Sequence, residues 1–542
     1  MSKDALKTNS DSSTESEESL YKLPHPNLSL IGILISTFFL RVAFGSTTVL
    51  MPIFIWEHLG MEGWAANISV IVVEITYALA VIFSSGYFGF KSDTSDAKRW
   101  ILFGTAAGGL ILGGYGICAL NWLGWIGIIP LTNGLLIFGM SLYHFLHGLA
   151  GSCKVNASYG YISRFSVYEN RATRIGFYNV AVTGGRSVGV ILAGLLYDKI
   201  VGIDEKVRLY RGKNRIVFGF DEITASKFIN FWDPVNPGRL AYIYLLFGFA
   251  IIISAVVVYF MIDKTQSVVK EEKYSVKKEL ATSWRMMTNK RRRGIILPLL
   301  GMASIIGVLN NWGFLILSIE STPGTASYAT VGITLAMGVP MALWGWVADR
   351  IGRKKTLVIG VIGLILLIAG IGIAFFTNLL TGGLPWNDPS SKFDPKGLYS
   401  NVWILIILGL AVLMAPAYFP AISGRLGDSS SLDVENGVEK AENELEKQVE
   451  FHGSTMSIQQ TVISVSEIIG IILGGLALLV VFRVSGVSDN FAYNIVGILV
   501  PIVILLILTS IATFFWPAED EFVEKAKVRR RKKDRLGKKK DS

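Results

Sequence analysis

The sequence predicts an all-α integral membrane protein with twelve transmembrane helices arranged as two pseudo-symmetric six-helix halves. Three observations lead there. Apolar stretches of about 20 residues recur along the 542-residue chain, the length that crosses a hydrocarbon core of about 30 Å. Charged residues make up 17% of the chain, against about 25% in soluble proteins, and they cluster between the apolar stretches. The chain also repeats itself at corresponding loops and helices of its two halves.

Helices are the spanning element to expect, because backbone in lipid must satisfy its own hydrogen bonds. Twelve segments follow in order: 29–56, 66–90, 100–121, 129–160, 174–198, 239–262, 294–319, 326–348, 355–378, 400–424, 456–483 and 490–516. Basic residues orient them. The loop after helix 2 holds Lys91, Lys98 and Arg99, that after helix 4 holds Arg164, Arg171 and Arg174, and that after helix 8 holds Arg350, Arg353, Lys354 and Lys355. The loops after helices 1, 3 and 7 have no Lys or Arg, so both termini are expected in the cytoplasm. The long basic loop over about 199–238 lies outside on this reading, and long loops translocate largely regardless of charge.

Domain organisation follows from the same map. Residues 1–27 form a polar, Ser-rich cytoplasmic tail, read as disordered. Residues 28–262 form the N-terminal half and 294–516 the C-terminal half, joined by a basic cytoplasmic linker over 263–293. An acidic insertion occupies about 426–455, and a basic tail occupies 517–542. The net charge of +10 comes from residues beside spans, where they set topology, so no nucleic-acid partner is expected. The two cysteines, Cys118 and Cys153, both fall inside spans and imply neither a disulfide framework nor a metal site. No Gly-rich phosphate loop ending in Gly-Lys-Ser/Thr appears, and no nucleophile constellation; neither a cofactor nor an enzyme activity is expected.

The repeat is clearest after helices 2 and 8. GWVADRIGRKK contains Gly345, Asp349, Arg350, Gly352, Lys354 and Lys355. GFKSDTSDAKR places Gly89, Asp93, Lys98 and Arg99 at the same spacing, with Thr94 and Asp96 replacing the Arg and the second Gly. This pattern resembles motif A of the major facilitator superfamily, complete in the second copy and degenerate in the first. The resemblance covers roughly residues 28–516 and implies a secondary transporter. It also implies that Asp349, and with it Asp93, caps a helix of the opposite half and latches the cytoplasmic side shut. A carboxylate is stabilised at a positive helix end. In helix 5, Gly176, Gly185, Gly189 and Gly194 are similar to the family's motif C, which is associated with antiporters; Val190 and Ala193 depart from it. Small residues at such spacing also let helices pack closely.

Polar residues inside spans mark the candidate site, because they are costly in lipid. Helix 1 carries Arg41, with Thr37 and Thr48 at helical spacing, and helix 2 carries Glu74. In helix 4, His144, His147, Lys154 and Ser158 share a face, with Gly151 between them. Helix 7 adds Asn310, Asn311 and Trp312. Helix 10 contains Tyr418 between Pro416 and Pro420, which should bend it. GRSVGVILAGL in helix 5 aligns with SEIIGIILGGL in helix 11, setting Arg186 against Glu467, Thr183 against Ser464 and Asn179 against Gln460. The family resemblance puts both stripes on a central cavity. There Arg186 and Glu467 either form an ion pair that holds the halves together or serve substrate and proton. Glu74 and Glu467 are the proton candidates, with His144 and His147 as alternatives.

The expectation is therefore ion-gradient-driven transport of a small solute by alternating access. Arg41, Lys154 and Arg186 outnumber Glu74 and Glu467, which favours an anionic or zwitterionic solute. A drug-proton antiporter is the second reading, and a non-transporting receptor or scaffold the third. The expected partners are a solute, the lipid bilayer and a coupling proton or other ion. The expected setting is the plasma membrane, as a monomer.

Overall fold

The computed structural model describes residues 23–53, 55, 63–120, 133–166, 170–196, 236–265, 290–309, 338–380, 401–426, 452–485 and 491–515. In chain order the N-terminal helices are α1 (Pro26–Ile53), α2 (Gly63–Thr94), α3 (Ala97–Leu120), α4 (Asn133–Arg164), α5 (Arg171–Leu196) and α6 (Asn236–Met261). The C-terminal helices are α7 (Lys290–Val308), α8 (Pro340–Ile351), α9 (Arg353–Leu380), α10 (Val402–Met414), α11 (His452–Ser485) and α12 (Phe491–Phe515). Eight helical stretches among the described residues are long and apolar enough to cross a membrane, and two shorter ones, Ile295–Val308 and Leu499–Phe514, are also apolar.

Local chemistry sets several ends. Asn401 caps α10 by accepting from the backbone N–H groups of Trp403 (3.1 Å) and Ile404 (3.3 Å). Pro340 begins α8, where a missing N–H costs nothing. Pro416 breaks α10 into a 3-10 turn at Ala415–Ala417 before helix resumes over 418–426, as the two prolines predict. Several helices outrun their apolar stretches. α2 continues to Thr94, α4 to Arg164, and α5 begins at Arg171, because the polar residues there are paired inside the bundle rather than exposed to lipid.

The apolar residues face both ways. Ile101, Tyr178 and Val361 are fully buried, while Phe83, Leu110, Phe138, Phe260 and Trp403 are exposed on the outside, as a lipid-facing surface requires. Inside, hydroxyls turn back on their own helices: Thr37 donates to the Ile33 carbonyl at 2.7 Å and Ser84 to Ala80 at 2.7 Å.

α1 packs on α5 and α6, α2 on α4, and α3 on α4 and α6; α7 packs on α11 and α12, and α9 on α10. Among the described residues the halves join where α5 meets α8 and where α11 meets both α2 and α4. The duplication is visible in the packing register. A Cβ on Gly189 would overlap the Val42 carbonyl, and one on Gly45 the Arg186 carbonyl. In the other half a Cβ on Gly470 would overlap the Ser304 carbonyl, and one on Gly307 would lie 3.0 Å from the Glu467 carbonyl. Thus α1 meets α5 as α7 meets α11, each pair backbone to backbone.

Candidate functional site

Four charged residues from four helices gather where the halves meet: Arg41 on α1, Glu74 on α2, Arg186 on α5 and Glu467 on α11. Phe44 lies one turn beyond Arg41. Its ring faces both guanidiniums, with Arg41 at 5.4 Å and Arg186 at 5.2 Å from the centroid. The negative face of the ring lets two like charges share one neighbourhood. Glu467 feels the charges of Arg186, Arg41 and Glu74. Among the described residues no ion pair within 4.0 Å joins Arg186 to Glu467.

Glu74 connects this centre to the interior of the N-terminal half. Its Oε2 lies 3.4 Å from His144 Nε2, and His144 Nδ1 is hydrogen-bonded to the Tyr115 hydroxyl. Tyr115 stacks on Tyr244 of α6 at 5.6 Å. Tyr77, one turn after Glu74, packs against His144 at 5.4 Å and His147 at 5.8 Å. Carboxylate, imidazole and phenol thus lie in succession from the centre to α3, with His144 Nε2 beside Glu74 but completing no hydrogen bond of good geometry.

A second group lies along α4. Lys154 is fully buried; its Nζ donates to Thr37 Oγ1 and faces the Tyr178 ring at 5.9 Å. Tyr159 packs on Tyr178 at 4.5 Å and donates to Asn179 Oδ1 at 2.9 Å.

The motif loops close one end of the bundle. Asp349 accepts from the backbone N–H groups of Ala172 (3.2 Å) and Thr173 (2.8 Å), from Thr173 Oγ1 (2.6 Å) and from Arg353 Nη1 (2.5 Å). It therefore caps the N-terminus of α5 from the opposite half. A Cβ on Gly345 would overlap the Ala172 carbonyl, so α8 lies directly on α5 beside the cap. Gly352 holds φ 101°, a conformation that L side chains rarely adopt. Asp93, the equivalent of Asp349, accepts from Arg164 at 3.0 Å. Asp96, in the position of Gly352, accepts from Lys98 N–H (3.1 Å) and from Thr265 N–H (3.0 Å) and Oγ1 (3.2 Å).

The predicted residues separate into groups. Arg41, Glu74, His144, His147, Arg186 and Glu467 come together. The helix 5 stripe divides: Asn179 turns to Tyr159, whereas Thr183 meets α8, where a Cβ on Gly338 would overlap its Oγ1. Ser464 is buried with Gln460 partly buried one turn before it. Tyr418 is fully buried in the apolar core, its backbone against Gly360. Gly176 lies against Met341 of α8, and Gly185 and Gly189 against Phe38 and Val42 of α1, so the motif C-like glycines serve helix packing. Asn310, Asn311 and Trp312 lie outside the described residues, as do nearly all of the 199–238 loop, the 263–293 linker, the 426–455 insertion and both tails. Sequence reasoning missed Phe44, Tyr77, Tyr115 and Tyr178, because aromatic residues in an apolar run carry no polar period. For Phe44 and Tyr77, three residues after Arg41 and Glu74, helical spacing was the available signal.

The family model described as the Major Facilitator Superfamily matches residues 33–431. A search of curated proteins returns no match. Among solved structures, FucP, a major facilitator superfamily transporter in the outward conformation, aligns with a TM-score of 0.57 at 13% identity, covering 91% of this chain and 99% of that one. A bacterial homologue of the human lysosomal transporter Spinster, inward-facing, aligns with a TM-score of 0.52 at 12% identity, covering 91% and 98%. The human organic anion transporter MFSD10 aligns with a TM-score of 0.51 at 12% identity, covering 89% and 100%. At these identities the likeness is one of fold.

Proposed function

Because the chain belongs to the major facilitator superfamily, and so is a multi-pass membrane transporter of a small solute, we propose that it moves an anionic or zwitterionic solute by proton-coupled alternating access. The observation that carries this reading is the open charge centre. Arg186 and Glu467 stand at equivalent positions of the two halves, feel each other's field and make no ion pair within 4.0 Å. A locked pair would stabilise one arrangement, whereas an open pair leaves both charges available to ligand and proton. Arg41 and Arg186 over Phe44 supply the cationic face for a carboxylate. Glu467, Glu74 and His144 supply groups for the coupling proton.

The motif loops are read as cytoplasmic, with both termini on that side and the plasma membrane as the site of action. The Asp349 cap then holds the cytoplasmic ends of α5 and α8 together while the opposite side admits solute. The likeness in fold to the E. coli fucose:proton symporter and to the human organic anion transporter supports the plausibility of both parts, the proton and the anion.

The test is transport by purified protein in proteoliposomes under an imposed pH gradient, against a panel of organic anions and lipophilic cations. Gradient-dependent anion uptake is expected, falling at least about tenfold in Arg186→Ala and Glu467→Gln. Movement of cations with no anion transport would overturn the charge reading, and anion transport indifferent to the pH gradient would overturn the coupling.

A further inference from the structure

The amine of Lys154 is placed where, among the described residues, no carboxylate meets it, and the residue is 0% exposed. The local packing forces this placement. A Cβ on Gly104 would lie 2.7 Å from the Lys154 backbone nitrogen and 2.8 Å from its Cβ, so α3 closes off the back of α4. The side chain leaves on the other face, between Thr37 of α1 and Tyr178 of α5. Thr37 spends its own proton on the Ile33 carbonyl and offers Lys154 only a neutral oxygen.

Around that amine lie donors without acceptors. The Tyr178 phenol lies beside the hydroxyls of Thr37 and Ser158. Even so, neither Tyr178 OH nor Ser158 Oγ completes a hydrogen bond of good geometry, and Asn179 Nδ2 is also unpartnered. Tyr178 and Ser158 are each 0% exposed and Asn179 is 7% exposed. Buried polar atoms without partners are rare and costly. Here they are donor-bearing groups collected around a cation, the arrangement that suits an anion. The group lies entirely within the N-terminal half, on α1, α4 and α5, whereas Glu467 and the inter-half charge centre lie beyond Arg41.

We propose that Lys154, Ser158 and Tyr178 form an enclosed binding site for a small monovalent inorganic anion of halide size, separate from the transported solute. The burial of all three side chains sets the size limit, since an organic anion would need an open path to them. The anion balances the ammonium and accepts from the two free hydroxyls at once. Such a site fixes α4 against α1 and α5 and makes the stability of the N-terminal half depend on the anion.

The test reads binding rather than transport, so its outcome is independent of the transport reading. Thermal unfolding of the purified full-length protein is followed in chloride, in bromide and in gluconate at matched ionic strength. A saturable rise in Tm with chloride and bromide but not gluconate is expected. Lys154→Met should abolish that rise. Ser158→Ala and Tyr178→Phe, which keep the charge, should weaken the halide midpoint about tenfold each. An equal rise in gluconate would overturn the proposal. So would a halide-dependent rise that survives intact in both hydroxyl variants. A Tm indifferent to halide would also overturn it and would show that Thr37 and Tyr178 suffice for Lys154.

Discussion

The loops Gly89–Arg99 and Gly345–Lys355 descend from one pattern and now hold different things together. In the second, Asp349 crosses between halves to cap α5, with Arg353 fixing the carboxylate from one turn away. In the first, Asp93 accepts from Arg164 of α4. Where the second loop has Gly352 at φ 101°, the first has Asp96, which ties the start of α3 to Thr265 beyond α6. In both loops the carboxylate takes an arginine of its own half, Arg164 for Asp93 and Arg353 for Asp349. The second loop adds a cap on a helix of the opposite half, and the first adds the tie from Asp96 to Thr265.

The comparison breaks or sharpens by substitution. Asp349→Ala has the largest expected effect. It removes the carboxylate partner of buried Arg353, at about 3–5 kcal/mol, and an inter-half cap worth about 1 kcal/mol. A fall in Tm should accompany separation of the ends of α5 and α8, read by a pair of spin labels at those ends. Asp93→Ala should cost a similar ion-pair term, about 3–5 kcal/mol, without moving those labels. If Asp93→Ala opened the α5–α8 end as Asp349→Ala does, the division of labour between the loops would be wrong. The reciprocal exchange is the mildest test. Gly352→Asp places a side chain in a Gly-favouring conformation at about 1–3 kcal/mol. Asp96→Gly restores the second motif glycine, with Thr94 still in place of the Arg, yet should destabilise by about 0.5–2 kcal/mol through the lost cap of α3. Both are read as shifts in the thermal unfolding of the purified protein.

Much of this was legible in the chain. Apolar length placed the helices to within a few residues, because the bilayer fixes that length. The errors fall at Thr94, Arg164 and Arg171, where buried polar pairing extends a helix past its apolar run. The alignment of Arg186 with Glu467 was readable because duplicated helices keep their register. The cap by Asp349 came from family resemblance, and the pairing of Asp93 with Arg164 was not visible. That pairing depends on Arg164, which is distant in sequence and reads as a topology charge. Thr183 was grouped with Arg186 by helical period, yet it meets α8. A period places a residue on a face but does not say which neighbour that face meets.

One feature of the packing ties the charge centre to motion. The tight crossings of α1 with α5 and of α7 with α11 occur at Gly45 beside Arg186 and at Gly307 beside Glu467. Each charge thereby sits at a close backbone crossing within its own half. Under the proposed alternation, the distance between the two charges would follow the angle between the halves. Neutralising Glu467 by a proton, or Arg186 by a bound carboxylate, would then change the force between the halves at those crossings.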